Sequence, residues 1–444
     1  MSSLRPYQQA ALDRWEAIQP KRLILAHATS AGKSLTAVRC AEVIGARRVL
    51  VVVPAMGRPT WIKEMQKWSA YAPHPIIHGR ARSGLSKAKV AARDAAYGAD
   101  VQVVSYTLLK EIDNAPRDIL VFDEVHALRD PLSKQSKIVR AYLKAHPRTP
   151  ALALSATPIP TEVKQLWNLL DTFWPRQFGA PAANGGISWA FQSAYCYREE
   201  NEYGVRYSGS KSPAALAELG ARIAPFIHRV TDAEVAPYLP PLHAEPLYLD
   251  EPKEATALAV DWADMVGTDA GCRAVLVFNR ETAHDIAAAL GTPYLVSGEI
   301  TPEARQKILD AASADPTSIL VATSESVRES VSLSFAKRAL VLQWRTSPAS
   351  AIQLMGRFPR QDADISKPCY IQYAVLPGDE SRAEVLTTRI QDINALMKAD
   401  KKSEKLTEIF APRVLTEERL DAMFSNMFSV VNSDPTDWEV EDEW

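Results

Sequence analysis

The sequence has few cysteines, no long hydrophobic run and no excess of base. Cys40, Cys196, Cys272 and Cys369 lie 156, 76 and 97 positions apart in 444 residues. No pair has the spacing of a zinc knuckle or a CxxC redox site, and isolated thiols in a reducing compartment are expected. The longest apolar run, VLVVVPAM from Val49 to Met56, is interrupted by Pro54 and is too short to cross a bilayer. The opening MSSLRPYQQAALDRW has no charged region leading into an apolar stretch, so no secretory signal is read there. The expected location is the cytoplasm, bacterial or of a virus-infected host, with no membrane partner. The 51 Lys and Arg face 53 Asp and Glu, which excludes an all-round basic coat for nucleic acid. Repeats of solenoid period and a nuclease signature are also missing.

What remains is an ordinary globular composition, 47% apolar and 23% charged, which excludes wholesale disorder and a coiled-coil rod. The length predicts two or three domains. Short apolar runs alternate with helical stretches: RLILAH (22–27), VLVVV (49–53), VQVVS (101–105), DILVF (118–122) and ALALS (151–155). A second series follows: RAVLVF (273–278), PYLVS (293–297), SILVA (318–322), RALVLQW (338–344) and CYIQYA (369–374). Continuous apolar strands between helices read as parallel sheets covered on both faces. The expected α/β organisation is an N-terminal lobe over 1–174, a helical insertion and linker over 175–245, and a C-terminal lobe over 246–376. A helical extension over 377–430 and an acidic tail over 431–444 complete it. That tail holds six acids and no base, so the rest of the chain is net positive. It reads as a solvated end, with competition for a basic groove as its alternative role.

The first apolar run leads into HATSAGKS, His27 to Ser34, and then into the helical LTAVRCAEVI. A loop between strand and helix aims backbone N–H groups and the helix N-terminus at one point, which suits a polyphosphate. Thr29, Ser30 and Ala31 would line that cradle. Gly32 would allow close backbone approach, Lys33 would reach the β- and γ-phosphates, and Ser34 would hold Mg²⁺. His27 stands where the common pattern has its first glycine. In VFDEVH, Val121 to His126, the strand ends on two acids. Asp123 fits the Mg²⁺ shell and Glu124 the polarising of an attacking water. A helix-capping acidic pair is the simpler alternative for these two residues taken alone.

These segments, in this order, resemble the superfamily-two helicases and translocases, and within them the Swi/Snf-type ATPases. The resemblance runs from Leu4 to about Gln361. LRPYQ is similar to the family's adenine-recognising segment, which implies that Gln8, helped by Arg5, reads the base. VVVPAMGRPTWIKEMQKW resembles a segment with Pro54, Trp61 and Glu64 at matching spacing. LSATPIPTEVKQLWNLLDTFWP resembles the coupling segment, in which Ser155, Ala156 and Thr157 link hydrolysis to DNA. IQLMGRFPRQ, Ile352 to Gln361, resembles the arginine-bearing segment with Gln353, Gly356, Arg357 and Arg360. The resemblance implies two RecA-like lobes around one ATP, with Arg360 the first candidate finger and Arg357 the second. FIHRVTDAEVAPYLPPL leans toward the compact fork-remodelling branch.

The chain also departs from that pattern. SESVRESVSLS stands where a glycine-rich segment is usual, so Val327, Arg328 and Ser330 occupy glycine positions and Ser332 replaces Asn or Asp. Pro359 replaces a customary His. Two acid-free basic stretches, His78 to Arg93 and Pro131 to Arg148, are expected to border a DNA track, with Arg80, Lys87, Lys134 and Lys137 as contacts. The function expected is an ATP-dependent DNA translocase or helicase. An RNA helicase and a nucleotide-gated DNA-binding scaffold are the alternatives. Substrate choice falls to the 175–245 insertion, the C-terminal helices or an unidentified protein partner.

Overall fold

Residues whose side chains alternate between two buried faces form the strands. In β1 (Arg22–His27), Leu23 and Leu25 enter one core while Ile24 and Ala26 enter another on the opposite face. That alternation is the period of a strand, and burial on both faces explains why Leu23 to Ala26 are all apolar. Burying each such Leu or Ile contributes roughly 1.5–3 kcal/mol before the entropy of ordering is counted. The computed structural model describes residues 4–80, 84–159, 162–202, 204–268, 271–328, 331–359, 364–397 and 401–410. The acidic tail, the extension beyond 410, Arg82, Ser330, Arg360 and Gln361 lie outside the described residues.

The first lobe continues with β2 (Val49–Val53), β3 (His74–Ile76), β4 (Val101–Ser105), β5 (Ile119–Asp123) and β6 (Ala151–Leu154). The segment beyond residue 175 adds a hairpin, β7 (Tyr197–Asn201) and β8 (Gly204–Ser208), and then β9 (Ile227–Val230). The second lobe comprises β10 (Leu242–Tyr248), β11 (Arg273–Val277), β12 (Leu295–Val296), β13 (Ile319–Thr323), β14 (Arg338–Val341) and β15 (Cys369–Val375). Among the described residues the first sheet runs β3-β4-β2-β5-β6-β1-β9 and the second β10-β15-β14-β11-β13-β12. Every pairing in both sheets is parallel. The molecule is therefore α/β with two parallel-sheet lobes.

Residues 175–245 depart from the helical insertion expected there. They do contain helices, Trp189–Tyr195 and Pro213–Ile223, but also the β7–β8 hairpin and β9. β9 pairs with β1, placing Leu25 opposite His228 and His27 opposite Val230, so the first sheet closes on a strand from beyond residue 174. The expected boundary at 245 also falls inside β10, whose partner is β15.

The C-terminal helices join the two lobes. In helix Glu380–Met397, Ala383, Leu386 and Ile390 enter a second-lobe core, whereas Leu396 and Met397 enter a first-lobe core. The helix passes close to Pro213–Ile223: a Cβ on Gly220 would stand 3.1 Å from the Leu396 carbonyl oxygen. Ser210 donates to Asp392 at 2.6 Å. Among the described residues no helix is long and apolar enough to cross a membrane.

Candidate active site

β1, β5, β6 and β9 run parallel, so their C-terminal ends open on one edge of the first sheet, where doubly wound folds bind ligands. From β1 the chain enters the loop 28–32 and then helix Lys33–Val43. Ser30 (φ +62°) and Gly32 (φ +76°) take left-handed conformations that curl the loop. Gly32 also needs to lack a side chain, because a Cβ there would sit 2.6 Å from Gln8 Nε2. The first N–H groups of the helix have no intrahelical partner and point into the loop, the arrangement that favours an anion. Lys33 Nζ donates to the carbonyls of His27 (3.1 Å) and Ala28 (3.2 Å), while Ser34 is half-buried at the same helix end.

Gln8 supports the loop. Its Nε2 donates to Ala31 O at 3.1 Å and its Oε1 accepts from the Arg5 N–H at 3.0 Å, so both ends of the amide are held by backbone. Arg5 lies over the Tyr238 ring at 4.0 Å and donates to the Tyr7 hydroxyl. Behind the loop His27 is buried, with Nε2 2.9 Å from His228 Nδ1 on β9. Burial first, then the charges of His228, Lys33 and Arg229, holds His27 well below the ordinary histidine range.

Asp123 ends β5, and Glu124, at φ +50°, turns the chain out of the strand. Asp123 Oδ1 accepts from the Glu124 N–H at 2.9 Å, and Oδ2 accepts from the Trp61 indole at 2.7 Å. Burial and then the neighbouring Glu124 charge raise the Asp123 pKa, against the Trp61 hydrogen bond and Lys33. Burial also disfavours a charge on Glu124, yet His126, Lys33 and Arg357 together outweigh it and hold Glu124 below the usual carboxylate range. Glu124 is the stronger acid of the two.

Asp123 with the Ser34 hydroxyl suits Mg²⁺, which takes one or two carboxylates and fills its shell with phosphate and water. A divalent cation beside Asp123 would also relieve the repulsion that raises its pKa. Among the described residues no cluster of three or more His, Cys, Asp or Glu is poised for a metal, so the remaining donors would come from nucleotide and water.

The second lobe meets this edge directly. Ser30 Oγ donates to Pro359 O at 3.0 Å, and a Cβ on Gly356 would fall 2.1 Å from Thr29 Oγ1. Gln353 Nε2 donates to Thr157 Oγ1 at 3.1 Å and lies 3.5 Å from His126 Nδ1, which is itself 3.2 Å from Glu124 Oε2. Ser155 Oγ accepts from the Thr157 N–H at 3.1 Å, and Ala156 O accepts from Arg229. Arg357 is buried and close enough to lower the pKa of Glu124. Arg360, the first candidate finger, lies outside the described residues. The geometry thus unites the loop, both acids, the 155–157 segment, Gln353 and Arg357 in one cleft.

The SNF2-related domain matches residues 7–256 of this sequence, more than half of it. The chain belongs to the SNF2-related family. The ISWI chromatin-remodelling complex ATPase ISW2 of Saccharomyces cerevisiae is 25% identical over 190 residues, 40% of this chain and 16% of ISW2. The DNA annealing helicase and endonuclease ZRANB3 of Mus musculus is 23% identical over 233 residues, 49% of this chain and 20% of ZRANB3. The chain therefore aligns with a minor part of each relative's length. The solved SWI2/SNF2 ATPase core of Sulfolobus solfataricus in complex with dsDNA is 17% identical, with a TM-score of 0.42, over 94% of this chain and 96% of that one.

The basic stretches divide into tied and exposed residues. Arg80 donates to Glu111 O at 2.8 Å, lies 3.5 Å from Asp113 and covers the Tyr97 ring. Arg93 is buried against Asp94, and Arg140 bonds Asn168 and approaches Asp171. Lys87, Lys89, Lys134 and Lys137 are exposed. Among the departures, Val327 is buried in the second-lobe core within the short helix Ser324–Arg328, so a side chain there fills space that glycine would leave empty. Trp61, His126 and Pro359 sat in sequence segments already singled out, but their contacts depend on side-chain and carbonyl directions that spacing does not carry.

Proposed function

We propose that the chain is an ATP-driven motor that moves along duplex DNA. The observation that carries the reading is the seam across the cleft: Ser30 of the phosphate loop bonds Pro359 O, while Gln353 bonds Thr157. A triphosphate in that loop would be felt by both lobes. Lys33 and the loop amides would hold the phosphates, with Ser34 and Asp123 as ligands for Mg²⁺, which when bound neutralises phosphate charge. Glu124, kept ionised, is positioned to orient the attacking water and accept its proton. Arg357 supplies a cation from the opposite lobe for charge developing on the terminal phosphate. Closure around ATP and reopening after hydrolysis would shift the lobes once per cycle.

Lys87, Lys89, Lys134 and Lys137 offer exposed cations on the first lobe for a phosphate backbone, which gives affinity without sequence preference. The similarity to ISW2, a chromatin-remodelling complex ATPase, and to ZRANB3, a DNA annealing helicase and endonuclease, supports DNA over RNA as the track. The test is ATP turnover measured with no nucleic acid, single-stranded DNA, duplex DNA, forked DNA and RNA. Stimulation by duplex or forked DNA is expected. Stimulation by RNA alone would replace the track, and a flat response across all five would replace the motor with a nucleotide-gated scaffold.

A further inference from the structure

Because its strands are parallel, the first sheet has a second edge at their N-terminal ends, opposite the nucleotide cleft. In the sheet order β2-β5-β6-β1, each of these four adjacent strands is entered through a base. Arg47 and Arg48 precede β2, Arg117 precedes β5, Arg148 precedes β6 and Lys21 precedes β1. The next strand outward, β4, is entered through Asp100, so the run of bases is confined to these four. Lys21, Arg47, Arg117 and Arg148 border one concavity of about 560 Å³, whose lining includes a single acid, Asp118.

Three of the bases are already engaged. Lys21 Nζ donates to the carbonyls of Trp15 and Glu16, both at 3.0 Å, at the end of helix Pro6–Ala17, where the helix dipole favours a cation. Arg117 is buried and bonds Asp113 at 3.3 Å. Arg48 bonds Asp118 Oδ1 at 2.8 Å, and Asp118 Oδ2 accepts the N–H groups of Arg47 and Arg48, so the acid in the concavity is matched. Arg47 and Arg148 differ: both are exposed, and neither guanidinium has a partner among the described residues. They stand four and three residues beyond the ends of helices Lys33–Val43 and Lys134–Ala145, outside the last turn in which a helix dipole acts.

A guanidinium without a carboxylate suits phosphate, which its fork meets with two parallel hydrogen bonds. β2 and β6 flank β5, so their entries lie about 10 Å apart. That spacing serves successive phosphates of a chain better than a single ion. The concavity is also open, since a Cβ on Gly45 at its rim would meet nothing within 4 Å. We propose that this edge of the first lobe is a second contact for a nucleic-acid backbone, and that it anchors DNA whether or not nucleotide is bound. The proposal rests on the reading of the track as DNA. Helix Lys134–Ala145, about 18 Å long, separates Arg148 from Lys134, so the anchor and the lysines of the track occupy different faces. None of the residues lining the concavity belongs to the nucleotide cleft, so the anchor adds affinity without entering the hydrolytic cycle.

The test is equilibrium binding of a short duplex to the full chain without nucleotide, over a range of salt, for the wild type and the Arg47→Ala, Arg148→Ala double variant. Removing two phosphate contacts should flatten the slope of log affinity against log salt by about 1.8, so that the variant loses roughly tenfold less affinity than the wild type between about 50 and 200 mM salt. Binding at low salt should weaken, with ATP turnover at saturating DNA unchanged. Replacing both arginines with lysine keeps the charge and should restore the slope; failure to restore it would assign the loss to the fold and overturn the proposal. Equal affinity and slope in wild type and alanine variant would overturn this proposal alone. A difference seen only with a slowly hydrolysed ATP analogue present would place the contact in the cycle and overturn the anchor. Inorganic phosphate is the second ligand: phosphate binding that depends on both arginines, with duplex affinity unchanged, would assign the site to a free anion instead. A wild type that binds no duplex overturns the DNA reading as well.

Discussion

Gln353 of the second lobe donates its side-chain amide to Thr157 Oγ1 of the first at 3.1 Å, and both residues are buried. The segment after β6 and helix Pro348–Met355 thus share a hydrogen bond across the cleft. Thr157→Val keeps the shape and strands the amide. Leaving a buried donor unsatisfied costs about 1–3 kcal/mol, so DNA-stimulated turnover should fall by roughly ten- to a hundredfold if the bond is made only in the closed cleft. Basal nucleotide binding should change little. Steady-state kinetics with and without duplex DNA read the difference, and equal losses in both would place the bond outside the coupling step.

Trp61 opposes the upward shift that burial and Glu124 impose on Asp123. Its indole hydrogen bond lowers the Asp123 pKa, so Trp61→Phe should raise it further. A group needed as a carboxylate then protonates at higher pH, and the acid limb of kcat/KM should shift upward. A pH–rate profile of the two proteins at saturating Mg²⁺ reports the shift. An acid limb that stays in place would mean that Asp123 does not control it.

Glu124→Gln removes the ionised acid while keeping its size. Nucleotide binding should survive, and turnover should drop by about a hundredfold or more, the usual contribution of a positioned general base. Single-turnover hydrolysis separates the two steps. Unimpaired hydrolysis would move the base to another residue.

The buried histidine behind the loop predicts acid sensitivity. His27 has its folded pKa depressed below the ordinary 6.5, and that of His228 is lowered as well, by burial first and then by Arg14. Below pH 6.5 the unfolded chain takes up protons that the folded one refuses. Stability is therefore fully present above that pH and declines as pH falls toward the folded values, by up to about 1.4 kcal/mol per pH unit for each group. The urea midpoint should drop from pH 7 to 5, and His27→Asn should flatten the slope. Parallel slopes in the two proteins would assign the sensitivity elsewhere.

Reversing Lys134 and Lys137 to Glu tests the exposed cations. The double variant should keep its basal turnover, lose most of its DNA stimulation, and show a flatter dependence of DNA affinity on salt, because fewer counterions are displaced. Arg80, already bonded to Glu111 and near Asp113, should matter less when changed to Ala. Stimulation unaffected by the double reversal would take the track off this face.

The strands easiest to read in the sequence are those buried on both faces. β1, β2, β4, β5 and β6 are mostly apolar and buried almost throughout because helices cover both sides of the sheet. β3 is three residues long at an exposed edge and contains Pro75, so it has no apolar signature. β9, IHRV, buries only its end residues, and β10 carries Glu245 and Pro246 at the edge of the second sheet. Edge strands keep one side in solvent and therefore look like linker. The loop before helix Lys33–Val43 and the Asp123–Glu124 pair at the end of β5 were legible because each is contiguous in sequence. The hydrogen bond from Lys402 Nζ to Thr29 Oγ1 was not, since nothing in a lysine on an amphipathic helix says where its stem will end.

Only eleven residues, 231–241, separate β9 from β10, and most of them are wound into short helical turns, Asp232–Val235 and Ala236–Tyr238. Fully drawn out, that leash would reach about 40 Å, while in helical form each residue spans only about 1.5–2 Å. The slack available to the lobes is therefore stored in these turns, and one end of the store is fastened: Tyr238 lies under Arg5 and beside Tyr7. Any separation of the lobes long enough to unwind the leash must first lift Tyr238 off Arg5, so the reach of the second lobe and the footing of the loop 28–32 are limited by the same aromatic contact.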